Sequence, residues 1–361
     1  MIPRIALAAS LCALGCTNVT ELADWAGDAG GQETDTDVGD IIEMDCGDCA
    51  AAGTEMSNLL CALDLCDGSY VLAGGNAEDY VALTTYRSGD TPFSDCGLDD
   101  TRAAVSGWGD PDNDLEPKVN GSYAIMATGD WDVGYHNTSC WPDVEGDGGT
   151  DSLEYDDNKP TEAIYDAVEW RLTLRAPPDA LSFSFDYVFF SAEYEEALPY
   201  LSQYNDKFYA VLEAGSTNAG TATVINFTAC RDDETYSDFV CDSDLASSTG
   251  CTWGVKYCYI AINSALSECC NYECNEAAVN PAETSIEGTG YECAPNLSED
   301  GAGYGSSTGW LHTRWRIEPN EEFTLTFHIH DTYDSQVDSS VILDAFQFHR
   351  SFQAGGTVVI E

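Results

Sequence analysis

The chain has 361 residues, of which 64 are Asp or Glu and 13 are Lys or Arg, so its formal net charge is −51. Hydrophobic residues make up 43%, enough to build a core, which excludes a wholly disordered chain. The same charge excludes nucleic acid as a partner, because phosphate needs Lys and Arg, and excludes docking on anionic lipid through a basic patch.

Residues 1–15 place Arg4 ahead of a short apolar run. That run is about ten residues, too short to span a bilayer, and it reads as an export signal. Ala13-Leu14-Gly15-Cys16 resembles the lipobox of bacterial lipoproteins, with Ala13 where that family has Leu. The resemblance implies cleavage before Cys16 and a lipid on the Cys16 thiol. Residues 16–44 are rich in Gly, Asp, Thr and Glu and contain no Lys or Arg, the composition of a flexible acidic tether.

Of the 16 cysteines, Cys12 leaves with the signal and Cys16 takes the lipid. Six of the others fall between Cys46 and Cys140 and eight between Cys230 and Cys293. Two even sets predict disulfides closed within each region, with a pairing that spacing alone does not give. Zinc at Cys46-x-x-Cys49 is the rival; no His lies near, and an exported chain meets an oxidising environment. Residues 45–66 are therefore a cysteine-rich segment, with one short helix expected within 51–65.

From residue 67 onward the pattern is strand. Residues 168–174 alternate. Leu181, Phe183, Phe185, Tyr187 and Phe189 share one face, and residues 208–212, 223–227 and 257–262 are further β-type runs. Phe323, Leu325, Phe327 and Ile329 share a face opposite Thr324, Thr326, His328 and His330, and a run at 341–348 follows. Short strands between Gly- and Asp-rich turns, among them Asn120-Gly121, predict an all-β fold. The expected architecture is an antiparallel β-sandwich of jelly-roll type over residues 67–361. The cysteine-rich stretch 230–293 is a disulfide-stapled insertion in it.

Six phrases occur in a suggestive order: Phe185-Asp-Tyr-Val-Phe-Phe-Ser-Ala-Glu-Tyr194, Tyr204-Asn205-Asp206-Lys-Phe208, Val224-Ile-Asn-Phe227, Ile260-Ala-Ile-Asn263, Thr308-Gly-Trp-Leu-His-Thr313, and His330-Asp331-Thr332 running into Asp338-Ser-Ser-Val-Ile-Leu-Asp344-Ala-Phe346. Their order and spacing resemble the choice-of-anchor L domain, a module of bacterial surface proteins. Gly121-Ser-Tyr-Ala-Ile-Met-Ala-Thr-Gly129 is similar to that family's early glycine-ended strand. The resemblance covers about residues 100–350. It implies an exported β-rich module without an established catalytic activity, and a lipobox is one anchor compatible with it.

Several acidic residues keep phase with apolar ones. Glu193 follows the Phe183 row, Asp206 the Phe208 row and Asp331 the Phe323 row, while Asp338 and Asp344 follow Ile342, Phe346 and Phe348. Side chains alternate faces along a strand, so these carboxylates are expected on inner faces near strand ends. Unpaired buried carboxylates are costly. Calcium, bound by six to eight oxygens, would resolve the conflict at Glu193, Asn205, Asp206, Asp331, Asp338 and Asp344; the alternative is that they are turn formers. The acidic run 110–116 lacks the central Gly of a calcium loop and reads as an exposed turn. His328 and His330 are expected on a solvated face. Trp108, Trp131, Trp141 and Trp253 fall in loop-like contexts, where aromatic faces can stack on sugars; Trp310 and Trp315 are expected in the core.

Gly305-Ser-Ser-Thr-Gly309 has the spacing of a nucleophile elbow but runs into a β-type sequence instead of a helix, so it is not read as one, and no phosphate-binding glycine loop is present. The expected function is non-enzymatic: a lipid-anchored module at the outer membrane or cell surface that binds an extracellular glycan, matrix or protein partner. The alternative is a secreted glycan hydrolase using two carboxylates. Repulsion among so many acids also makes stability salt-dependent. The melting temperature should rise from about 0.01 M to about 1 M NaCl, as the screening length shrinks from about 30 to about 3 Å. A flat response would contradict this.

Overall fold

The structure is a computed structural model that describes residues 40–42, 44, 46, 52–66, 68–74, 79–83, 98–113, 115–132, 164–195, 206–229, 257–261, 268–269, 288–291, 303–332, 338–352 and 355–360. The export signal, Cys16, the tether before residue 40 and most of the 230–293 insertion lie outside these residues, as do Trp141 and Trp253.

In chain order the strands are β1 (Ile41–Ile42), β2 (Val71–Ala73), β3 (Tyr80–Leu83), β4 (Arg102–Val105), β5 (Tyr123–Ala127), β6 (Ile164–Arg175), β7 (Ser182–Glu195), β8 (Lys207–Ala214) and β9 (Thr223–Val224). They continue with β10 (Phe227–Ala229), β11 (Tyr257–Ala261), β12 (Glu268–Cys269), β13 (Gly303–Ser307), β14 (Leu311–Arg316), β15 (Glu322–Thr332), β16 (Ser339–His349) and β17 (Gly356–Val359). Among the described residues they form two antiparallel sheets. One has the order β12-β13-β7-β16-β5-β4, with β14 beside β7, β17 beside β14 and β1 beside β16. The other has the order β10-β11-β8-β15-β6-β2, with β3 beside β6 and β9 beside β8.

The alternating rows face each other across the sandwich. Phe183, Phe185, Tyr187 and Phe189 of β7 meet Phe323 and Phe327 of β15 and Phe208 of β8 in one buried cluster. Ring centroids lie 5.3 Å apart for Phe183–Phe323, 5.2 Å for Phe185–Phe327 and 5.1 Å for Tyr187–Phe208. The expected strand at 223–227 divides into β9 and β10. Between them the Asn226 side chain stands in for a strand neighbour, accepting from the Ala210 N–H and donating to the Phe208 carbonyl.

The first sheet is covered on its outer face as well. Val188, Phe190, Ile125 and Ile342 pack there against Trp108, Leu115, Tyr291 and Trp310. Trp108 is thus buried and unavailable for sugar stacking. Residues 110–113 turn, as expected, but the run is not wholly exposed, since Asn113 and Leu115 are buried over this second core: Asn113 donates to the Trp108 carbonyl at 2.7 Å and accepts from the Leu115 N–H at 3.0 Å. Trp131 is half-buried against the same cluster. Trp310 and Trp315 are buried, as expected.

The two-sided burial explains one error of phase. In β16 the inner residues are Val341 and Leu343, then Phe346 and Phe348, with a register shift against β7 between Asp344 and Gln347. Ala345 sits in the left-handed region with φ 51°. This bulge moves the inner row by one residue, so Asp344 lies on the outer side with Ile342 and not with Phe346 and Phe348.

The cysteine-rich segment contains one helix, α1 (Met56–Ala62), whose Met56, Leu59 and Ala62 are buried. It ends in a Schellman arrangement: the Leu65 N–H reaches Leu60 O, the Asp64 N–H reaches Cys61 O, and Asp64 takes the left-handed position at φ 62°. A Cys46–Cys66 disulfide closes the segment, in line with the expectation of disulfides there; Cys61 is also disulfide-bonded. Closing a loop of this length contributes about 3 kcal/mol.

Just before it, β1 lies beside the end of β16, with Ile41 opposite His349 and Ile42 opposite Phe348. The buried Arg314 holds Asp40 Oδ2 at 3.0 Å, and Arg350 donates to the Asp40 and Ile41 carbonyls, each at 2.8 Å. Although burial opposes it, the Ser351 hydroxyl and the Arg314 guanidinium hold the Asp40 carboxyl below its ordinary range.

Candidate functional site

Three acidic rows meet at one end of the sandwich. Antiparallel register places Ile329 opposite Phe208 and His330 opposite Lys207, which brings Asp331 beside Asp206. On the other side Asp166, near the start of β6, has φ 46° and lies where the β6–β15 register shifts. From the first sheet, Ser191 of β7 and Ser339 of β16 are in register. Both donate to Asp206 Oδ2, Ser339 at 2.5 Å and Ser191 at 3.3 Å. Asp206 therefore ties the two sheets together at this end.

Asp338 enters from the other side of β16. Its carboxyl lies against Gly129, where an added Cβ would come within 2.1 Å of Oδ2 and 2.3 Å of Cγ. Any larger residue there would have to displace the Asp338 carboxyl. The Tyr291 hydroxyl donates to the Asp338 carbonyl at 3.1 Å and shares a hydrogen bond with Ser340 Oγ at 2.8 Å. Burial, then the charges of Asp166, Asp206 and Asp130, push the Asp338 carboxyl well above the usual carboxylate range. Burial and the charges of Asp338, Asp331 and Asp206 likewise raise the Tyr291 phenol.

Of the six residues proposed from sequence as calcium ligands, the structure thus gathers Asp206, Asp331 and Asp338. All three are buried. The Glu193 side chain and Asn205 lie outside the described residues. Asp166 and Asp130, which join the cluster, were missed. Asp166 was detectable, because it keeps phase with Val168, Trp170 and Leu172; Asp130 follows a strand and has no such signal. Among the described residues, no three His, Cys, Asp or Glu converge as a metal shell would.

Asp344 belongs elsewhere. It stands opposite Asp186 in the sheet, and Asp186 stands opposite His312, whose Nδ1 lies 2.6 Å from Asp186 Oδ1. Asp344 accepts from the Lys118 and Ala345 N–H groups, each at 2.6 Å. Asp64, at the end of α1, accepts from Asn120 Nδ2 through Oδ1, while its Oδ2 accepts no hydrogen bond among the described residues. Burial raises Asp64 to about 7, opposed by the Asn120 and Ala345 N–H groups and assisted by Asp186. Burial and the charges of Asp64 and Asp186 raise Asp344 to about 8, against the Lys118 and Ala345 N–H groups.

His328 and His330 do not face solvent: they are 0% and 1% exposed. Glu169 Oε1 lies 3.1 Å from His328 Nδ1, and His328 Nε2 lies 2.9 Å from His330 Nδ1. Burial, then the charges of His328 and Lys207, hold His330 well below its ordinary range. A neutral His330 completes a buried hydrogen-bonded row rather than a chelating pair. Alternation identified the face correctly; its covering is a non-local property.

Among the described residues no helix is long and apolar enough to cross a membrane. The family model of the Choice-of-anchor L domain matches residues 157–349, more than half of the chain. The match begins after the β4–β5 hairpin and therefore does not include Gly129. Comparison with curated proteins and with solved structures found no match.

Proposed function

Because this chain belongs to the choice-of-anchor L domain family, a module of bacterial surface proteins, we propose that it is a non-enzymatic display domain that binds an extracellular glycan, matrix component or protein. Export through residues 1–15 and a lipid on Cys16 would hold it at the outer membrane or cell surface, with residues 16–44 as the tether.

The observation that carries this reading is the engagement of the gathered carboxylates. Asp206 is held by two serines across the sheets, Asp338 is seated on Gly129, and Asp206, Asp331 and Asp338 are all buried. A hydrolase needs two carboxyl groups that reach substrate; these are set into the sandwich. A glycan and matrix binding array, run with and without calcium, tests the reading. Saturable binding supports it. Turnover of a glycoside panel that is lost on Asp206→Asn would overturn it.

Calcium is proposed at Asp206, Asp331 and Asp338, with Asp166 added and with Glu193 and Asn205, which lie outside the described residues, as further ligands. Asp344 is not in this set. An ion would have to draw the groups inward, offsetting their mutual repulsion. At about tenfold excess over Kd it would stabilise the fold by about 1.4 kcal/mol. EDTA should lower the melting temperature by a few degrees and calcium should restore it, with no response in Asp206→Asn. An unchanged melt in protein that had been shown to hold calcium would remove the site.

A further inference from the structure

The turn leading into β5 carries Asn120 followed by Gly121, with φ 51° and 73°. Asn120 is exposed. A Cβ added at Gly121 would meet nothing within 4 Å, so the space beside Gly121 is open. The Asn120 amide nitrogen, in contrast, is held: it donates to Oδ1 of Asp64. Asp64 is 4% exposed, and its Oδ2 has no hydrogen-bond partner among the described residues. A neutral carboxyl group fits that environment, burial supports the same protonation state by raising the group to about 7, and Oδ1 is the oxygen from which its proton can pass to the Asn120 nitrogen.

We propose that Asn120 is a self-modification site, at which the Gly121 main-chain nitrogen attacks the Asn120 side-chain carbonyl carbon and the Asp64 carboxyl group protonates the departing amide nitrogen. The bond formed joins Gly121 N to Asn120 Cγ; the bond broken is Cγ–Nδ2. Ammonia leaves with the proton from Asp64, and the proton lost from the Gly121 nitrogen returns to Asp64 through solvent. Water then adds across the cyclic imide and opens it to aspartate or isoaspartate. No oxidant or reductant enters.

The contact between Asp64 and the leaving nitrogen separates this site from any other Asn-Gly pair. Positioned general acids contribute about 10²- to 10⁴-fold. The product also changes the neighbourhood. A carboxylate replaces the amide donor against Asp64, adding a further acid beside Asp64, Asp344 and Asp186. The inference is independent of the binding function proposed above.

The test incubates the full chain at neutral pH and follows the replacement of amide nitrogen by oxygen at position 120 by tandem mass spectrometry. Asp64→Asn and Asp64→Ser are run beside it, with circular dichroism to verify that each is folded, together with a synthetic peptide covering residues 116–125. The expected result is conversion in the wild type, slowed at least about tenfold in both variants. Equal rates in the wild type and both variants would overturn the role of Asp64. An intact Asn120 after the peptide has converted would overturn the site.

Discussion

Gly129→Ala should destabilise the fold by about 3 kcal/mol, seen as a fall of about 6–12 °C in melting temperature. The new methyl would occupy the place of the Asp338 carboxyl, 2.1 Å from Oδ2 and 2.6 Å from Oδ1. The Asp338 main chain is fixed, so the carboxyl can yield only by turning about its own side-chain bonds. Its main-chain carbonyl is held by Tyr291, and the next residue, Ser339, pairs with Thr128 through main-chain and side-chain hydrogen bonds. The cost should fall sharply in Asp338→Ala, which removes the clashing group, so the two changes should be strongly non-additive. Urea denaturation of the four proteins of this cycle measures the coupling. Additive costs, or a Gly129→Ala effect below about 0.5 kcal/mol, would show that the carboxyl is not seated on this glycine.

The second large effect concerns pH. The raised values of Asp64, about 7, and Asp344, about 8, compare with an ordinary carboxyl at 3.8. Between about pH 4 and 8 the folded chain then binds more protons than the unfolded one. Stability is therefore highest at the acid end of that window and falls as pH rises through it. About three units on Asp64 amount to an upper bound of about 4 kcal/mol, shared with its neighbour. Asp64→Asn should recover about 2 kcal/mol or more at pH 8 and change little near pH 4. The amide keeps an acceptor for Asn120 and carries no charge to be desolvated. Asn also tolerates the left-handed conformation that Asp64 occupies. Urea midpoints at both pH values check this; parallel curves for the two proteins would contradict it.

Strands β7 and β15 were legible because each has one aromatic face and one polar face, so alternation marks the inner row directly. Strand β16 was harder. Burial on both sides turns Val341-Ile342-Leu343 into a continuous apolar run, and the bulge at Ala345 changes the phase in mid-strand. That is why Asp206 and Asp331 went to the right place and Asp344 did not. Asp166 obeys the same alternation and needed only its application to β6. Gly129 and the covering of His328 and His330 depend on contacts with residues distant in sequence, which spacing along a strand does not record.

The disulfide and the short β1 pairing also determine how the body would respond to a pull from the N-terminal side. Tension would reach Asp40 first, where Arg314, Arg350 and the end of β16 grip the chain. If that grip yielded, the chain would lengthen only as far as Cys46. From there the sulfur bridge offers a covalent shortcut to Cys66, 20 residues onward. Force would bypass α1 altogether, and the helix with its buried Met56, Leu59 and Ala62 would stay slack while the strands beyond it took the strain. Under reducing conditions the shortcut is lost, and tension would pass through the Gly53–Ala104 pairing into α1 before it reached the strands beyond.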